Sequence, residues 1–144
     1  MSYATLATDR FDEVADFYGE TLGFPVVATW DRPRGRGRRF DLGGMRLEVL
    51  DNQREPHPLG LGEPADRFHL VVEVADITAA HAGLPLSAPA PRTATWGARL
   101  FAVRDPDGVP VTFLQWTGAV QAGRTSWTSR SRCRSQAVRS PAAS

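Results

Sequence analysis

The chain has 144 residues, 42% of them hydrophobic, which is enough to bury one core and too little for two independent domains of ordinary size. All 17 basic residues are arginine and they are unevenly placed: residues 1–117 hold 12 arginines against 16 acids, a net −4, whereas residues 118–144 hold five arginines and no acid. An acidic globular part repels phosphate backbones, so nucleic-acid binding by the core is not expected, and no apolar run approaches membrane-spanning length.

In chain order, the first element reads as a strand over Tyr3–Thr8. Thr8 or Asp9 then caps a helix that runs to about Leu22, with Asp12 and Glu13 at its positive end. Phe11, Val14, Ala15, Tyr18 and Leu22 recur at helical spacing on one face, and Gly23 with Pro25 ends the helix. Strands follow over 26–31, 38–42 and 45–50, with Gly43-Gly44 as a tight hairpin turn between the last two. The arginine-rich run 32–39 reads as a solvated hairpin loop rather than an anion or nucleic-acid contact, and the flanking Asp31 and Asp41 further weaken the nucleic-acid case. Residues 51–66, with Pro56, Pro58, Gly60, Gly62 and Pro64, hold too many breakers for regular structure.

The pattern then restarts. A strand over 68–75 leads to a helix capped by Asp76 and stopped by Gly83 and Pro85; a Pro/Ala stretch with a short strand precedes strands over 99–104 and 109–116. Asp105-Pro106-Asp107-Gly108 reads as the turn joining the last two strands, with no catalytic role. Asp9 with Asp76, Gly23 with Gly83, and Leu47-Glu48-Val49-Leu50 with Val111-Thr112-Phe113-Leu114 recur at offsets of roughly 60 to 67 residues, the mark of a duplicated unit. The expectation is an α+β domain over 1–117, with a βαβββ module one at 1–55, a connector at 56–66 and a βαβββ module two at 67–117, forming a curved mixed sheet with a cleft.

Residues 118–144 lack a periodic apolar pattern and are expected to be a disordered Arg/Ser-rich tail, with Trp127 its one large apolar group. The only cysteine, Cys133, has no partner for an intrachain disulfide, which points to a reducing, cytoplasmic setting. Asp9, Asp12, Glu13 and Asp16 near the start are unlike a signal peptide.

Several segments together resemble the vicinal oxygen chelate superfamily of glyoxalases, fosfomycin-resistance thiol transferases, extradiol dioxygenases and bleomycin-binding proteins. They are Phe17-Tyr18-Gly19-Glu20-Thr21-Leu22-Gly23-Phe24-Pro25, His69-Leu70-Val71-Val72-Glu73-Val74-Ala75-Asp76, Trp96-Gly97-Ala98-Arg99, and Phe101-Ala102-Val103-Arg104-Asp105-Pro106-Asp107-Gly108 leading into Phe113-Leu114-Gln115. The resemblance implies two modules around a cleft whose wall carries four positions for metal ligands or a catalytic base. Here those positions hold Ser2 or Tyr3, Glu48, His69 and Thr112. Two ligand types out of four make a poor site, since a catalytic divalent ion takes about three protein ligands plus open positions. Threonine at the fourth position also removes a carboxylate able to move protons.

Strand alternation places Phe68, Leu70, Val72 and Val74 toward a helix and His69, Val71 and Glu73 toward the cleft. Arg46, Glu48 and Leu50 share one face, and Thr112, Leu114 and Trp116 share another. The candidate ligand-binding set is Arg46, Glu48, His69, Glu73, Trp96, Thr112, Leu114 and Trp116, with Trp30 and Trp96 at the cleft mouth. His69 and Glu48 are the candidates for catalysis or for a divalent ion (zinc, nickel, manganese or iron), against a bland reading as hydrogen-bonded remnants of such a site; no cofactor is otherwise expected. Glu73 equally suits a solvated strand edge, and His57 and His81 are expected to be exposed.

The leading reading is a metal-independent protein that binds an aromatic or polar organic metabolite or antibiotic, as a homodimer. A divalent-metal lyase, isomerase or thiol transferase is the second. A non-catalytic regulatory or interaction module, docking through its cationic tail, is the third.

Overall fold

In a computed structural model of the chain, residues 2–63 and 67–118 are described. Pro64 and the tail beyond Gly118, with Trp127 and Cys133, lie outside the described residues. The strands form two mixed four-stranded sheets, neither of them closed into a barrel. Sheet one contains β1 (Tyr3–Thr8), β2 (Val26–Arg32), β3 (Gly35–Asp41) and β4 (Arg46–Asp51) in the order β1-β4-β3-β2. Sheet two contains β5 (Leu70–Glu73), β6 (Arg92–Ala94), β7 (Ala98–Arg104) and β8 (Pro110–Trp116) in the matching order β5-β8-β7-β6. In each, the first strand pairs parallel to the last and the other pairs are antiparallel, so the duplication read from sequence is a duplication of topology.

One helix covers a face of each sheet. Helix α1 (Phe11–Asp16) buries Phe11, Val14 and Ala15, the residues of the predicted apolar stripe. Its continuation over Phe17–Thr21 widens into a π-helical turn that buries Tyr18. Gly19 lies in that turn, where a Cβ would stand 3.1 Å from the Phe40 ring, so glycine lets the widened backbone settle on the sheet. Neither Thr8 nor Asp9 occupies the cap position, which is Arg10, although Thr8 Oγ1 accepts the Arg10 N–H at 2.9 Å. Helix α2 (Ile77–Ala82) is capped as expected, Asp76 Oδ1 accepting the Ala79 N–H at 3.0 Å.

Three sequence expectations change. The arginine run is not a loop: β3 begins at Gly35, and its arginines alternate between the two faces of sheet one. The connector opens with a 3-10 turn at Asn52–Arg54, held by Asn52, whose amide donates to Asp9 Oδ1 and Leu59 O and accepts from Leu59 N. Strand β5 is shorter than 68–75, so Phe68 is exposed rather than core and His69 precedes the strand.

The core is one connected cluster drawn from both halves, with Phe40, Leu47 and Val49 under α1 and Val72, Val111 and Phe113 under α2. Complete burial of Phe40, Leu47 and Val49 stabilises the fold by about 1.5–3 kcal/mol each. A buried polar link crosses between the halves: the Tyr18 hydroxyl donates to Asp105 Oδ2 at 2.8 Å. The Asp105-Pro106-Asp107-Gly108 turn sits where expected, and Asp105 Oδ1 closes it by accepting the N–H groups of Asp107 and Val109.

Candidate functional site

Register decides which side chains share a wall. In sheet two, Val71 lies opposite Thr112 and Glu73 opposite Leu114, while Ala102, Leu100 and Ala98 of β7 face Thr112, Leu114 and Trp116. These residues occupy the side away from α2, as alternation predicts. A cavity of about 460 Å³ opens at one end of that wall, lined by His69, Ala102, Arg104, Pro110 and Thr112 together with Leu86, Ser87 and Pro89 from the segment before β6. Of the predicted set, His69 and Thr112 line it. Glu73 is exposed on edge strand β5, Leu114 is buried lower in the wall, and Trp116 packs edge-on against Trp96 at 5.6 Å. Trp96 itself is 51% exposed in the turn after β6. The contribution of Ala102 followed from the same alternation that gave Thr112; nothing in the Pro/Ala stretch marked Leu86 or Ser87.

Arg46 and Glu48 belong to sheet one, and neither lines the sheet-two cavity. Tyr3, Thr5 and Ala7 of β1 lie opposite Arg46, Glu48 and Leu50, and Gly37 and Arg39 of β3 lie opposite Leu50 and Glu48. Trp30 of β2 faces Gly37 and completes the wall. Its indole lies so close to the β3 backbone that a Cβ on Gly37 would stand 2.2 Å from Cζ2, which is why glycine is found there. The Glu48 side chain is only 11% exposed, and its Oε2 accepts from Arg39 Nε at 3.0 Å and Nη2 at 2.5 Å. The Arg39 guanidinium carbon also lies 4.9 Å from the Tyr3 ring centre and 5.8 Å from that of Trp30, within cation–π range of both. Sequence reasoning missed Arg39: it falls in the strand over 38–42 but also ends the arginine run read as a solvated loop, so its side chain was not set beside Glu48 on the wall.

The remaining arginines of that run face the other side. Arg36 bonds Asp12 at 2.6 Å, lies near Asp31 and Asp51, and stacks over Phe11 at 4.3 Å; Arg38 pairs with Asp16 at 3.5 Å. They hold β3 to α1. His57 is exposed as expected, but His81 is not: its Nε2 bonds Ala88 O at 3.0 Å and its ring packs edge-on against Phe101.

The matching sheets also settle which first-strand position corresponds to His69. Thr5 pairs with Glu48 as Val71 pairs with Thr112, so the residue two places earlier in each half is Tyr3 in one and His69 in the other.

The sequence matches the model of the Glyoxalase/Bleomycin resistance protein/Dioxygenase superfamily over residues 1–113, and the chain belongs to that family. Among solved structures it is similar to TnmS3, an antibiotic binding protein from Streptomyces sp. CB03234, at 24% identity and a TM-score of 0.63, covering 81% of this chain and 95% of that one. A glyoxalase/bleomycin resistance protein/dioxygenase from Nocardioides follows the same path at 21% identity and a TM-score of 0.61, covering 82% of this chain and 83% of that one. Lactoylglutathione lyase from Agrobacterium tumefaciens does so at 19% identity and a TM-score of 0.57, covering 80% and 92%. Comparison with curated proteins gave no match.

The family implies a divalent metal, and the residues at the four positions do not fit one. Tyr3 and Thr112 are poor ligands, and the Glu48 carboxylate is already held by a guanidinium. A divalent ion ligated by Glu48 would stand about 5 Å from that charge, a repulsion of about 7 kcal/mol at an effective dielectric of ~20. Among the described residues no three His, Cys, Asp or Glu side chains gather in metal-binding geometry. No described helix is long and apolar enough to cross a membrane.

Proposed function

We propose that this protein binds an aromatic or polar organic small molecule, a metabolite or an antibiotic, without metal chemistry, and that it does so as a homodimer. The observation that carries the reading is the sheet-two cavity. Its volume of about 460 Å³ lies in the ordinary range for small-molecule pockets, and its wall mixes apolar Leu86, Ala102 and Pro110 with the polar tips of His69, Ser87, Arg104 and Thr112. Such a lining orients an organic ligand by a few hydrogen bonds while apolar contact supplies affinity. Support comes also from the fold shared with TnmS3, which is described as an antibiotic binding protein. Homodimer formation is supported by an open edge: β5 ends sheet two with Val71 52% exposed on it, and a second copy would cover that edge. The alternative, a metal-dependent lyase, isomerase or thiol transferase using Glu48 and His69, requires Glu48 to leave Arg39.

The test is a thermal-shift screen of planar aromatic metabolites and antibiotics on the full chain, with light scattering for the oligomeric mass. Compounds that bind are expected to raise Tm for the wild type and not for Ala102→Trp, whose indole fills the cavity from an exposed position on β7. Equal shifts in both proteins would remove the cavity as the site.

A further inference from the structure

The sheet-one wall has an arrangement that the cavity over sheet two lacks. Two guanidinium groups, Arg39 and Arg46, share it with one buried carboxylate, Glu48. Arg39 is bound to Glu48 along its Nε–Nη2 edge, and its Nη1 has no partner among the described residues. Arg46 forms no ion pair among the described residues, and its buried Nε–H has no acceptor. The nearest acid by register, Asp41, turns its Oδ1 to the Gly43 N–H of the hairpin instead, at 2.9 Å. An orphaned guanidinium N–H beneath a surface is costly unless an acceptor arrives. Beside these cations stand two aromatic rings, Tyr3 exposed at the edge and Trp30 laid against the backbone at Gly37.

We propose that this wall is a binding site for a planar aromatic anion, in which guanidinium groups take the place of a metal ion. Trp30 and Tyr3 provide the stacking surface. Arg39, fixed by Glu48 within reach of both rings, presents Nη1 to an oxygen in the ligand plane, and Arg46 supplies the charge that Glu48 does not neutralise. A carboxylate, sulfonate or phenolate on a fused or biaryl ring system satisfies all of these groups together, whereas a neutral ring satisfies the stacking alone. This inference rests on the small-molecule reading above only in taking the chain to bind organic ligands; it adds a second site, on sheet one, with its own ligand class.

Fluorescence titration of the full chain with 1-anilinonaphthalene-8-sulfonate and with its uncharged analogue N-phenyl-1-naphthylamine tests the assignment, with and without EDTA. The wild type is expected to prefer the sulfonate, and EDTA to change nothing. Arg46→Met and Arg39→Met are each expected to weaken the sulfonate by about tenfold or more, the loss of one charge-assisted hydrogen bond, and to leave the neutral probe unchanged. Gly37→Ala, which displaces the Trp30 ring without altering charge, should weaken both probes. Arg39→Lys, which keeps a charge on Glu48 but lacks the planar fork, stands in if Arg39→Met melts early by circular dichroism; it too should lose sulfonate affinity. Sulfonate binding unchanged in both Arg46→Met and the Arg39 variant overturns the proposal, and so does loss of wild-type binding in EDTA. If neither probe binds the wild type while screened compounds still distinguish it from Ala102→Trp, the small-molecule reading stands and this inference falls.

Discussion

Tyr18 and Asp105 are separated by 87 residues, and their hydrogen bond is a buried polar contact between the two halves. Burial, then the nearby charge of Asp105 and the hydrogen bond to it, push the Tyr18 phenol well above its ordinary 10.0. Burial also raises the Asp105 carboxyl above 3.8, against the lowering effect of the N–H of Val109 and the hydroxyl of Tyr18. Removing the hydroxyl leaves an acceptor oxygen without its donor in a closed space, so Tyr18→Phe is expected to cost ~1–3 kcal/mol in urea denaturation. The pH dependence has a definite sign. A phenol whose pKa is raised by folding contributes stability that is complete below pH 10.0 and is lost as pH rises toward its folded-state value. With no lysine in the chain, no side-chain ammonium adds to this alkaline limb. Urea midpoints measured from pH 8 to 11 should fall steeply above pH 10 in the wild type and less steeply in Tyr18→Phe; parallel slopes would show that Tyr18 does not govern that limb. The sequence marked Asp105 as a turn residue, correctly, because turn chemistry is local. Its second partner was not legible, because nothing local reports a contact made through the tertiary fold.

Strand β3 shows the same limit at the next scale. A strand is read from alternating apolar and polar residues, but Gly35 to Arg39 holds only glycine and arginine, so the alternation is carried by charge. What alternates is the partner: Arg36 and Arg38 meet acids on and beside α1, whereas Arg39 meets Glu48 on the opposite wall. Elements whose signals are self-contained, such as the strand Tyr3–Thr8 and the Asp76 cap of α2, were legible to the residue. The π-helical turn at Phe17–Thr21 was not, because it packs at Gly19 against Phe40 of β3, a tertiary contact that no local signal reports. Arg36 ties β3 to α1 through partly exposed acids, so its contribution is modest and screened. Arg36→Met is expected to lower stability by about 0.5–1 kcal/mol at low salt. The deficit should shrink in 1 M NaCl, where the Debye length is about 3 Å. A deficit that salt leaves untouched would assign the loss to packing over Phe11 rather than to charge.

At the scale of the molecule, the duplicated βαβββ pattern was legible because each half repeats its helix-ending glycine and its strand order, although only the second half uses the predicted aspartate cap. The candidate site was legible only in part. Alternation gave the correct face for Glu48 and Thr112, but one cleft was expected, and the predicted residues are divided between two sheets, with His69 and Thr112 in a cavity that no sheet-one residue lines. Periodicity says which way a side chain points from its own sheet and nothing about how two sheets are set against each other. What joins the halves is a core cluster drawn from both, together with the Tyr18–Asp105 link, so part of each half's buried surface is lost without the other. That predicts cooperative unfolding, and in a Trp127→Phe background the remaining tryptophans report on each half separately, Trp30 in sheet one and Trp96 with Trp116 in sheet two and the turn beside it. At fixed protein concentration, urea transitions of Trp30→Phe followed by fluorescence should coincide with those of Trp96→Phe/Trp116→Phe and with far-ultraviolet circular dichroism of each variant, after correction for each variant's own stability. Fluorescence and circular dichroism midpoints that part within one variant would mean that one half melts while the other persists. The shared cluster would then be two cores in contact, and Tyr18→Phe would shift only the half that contains it.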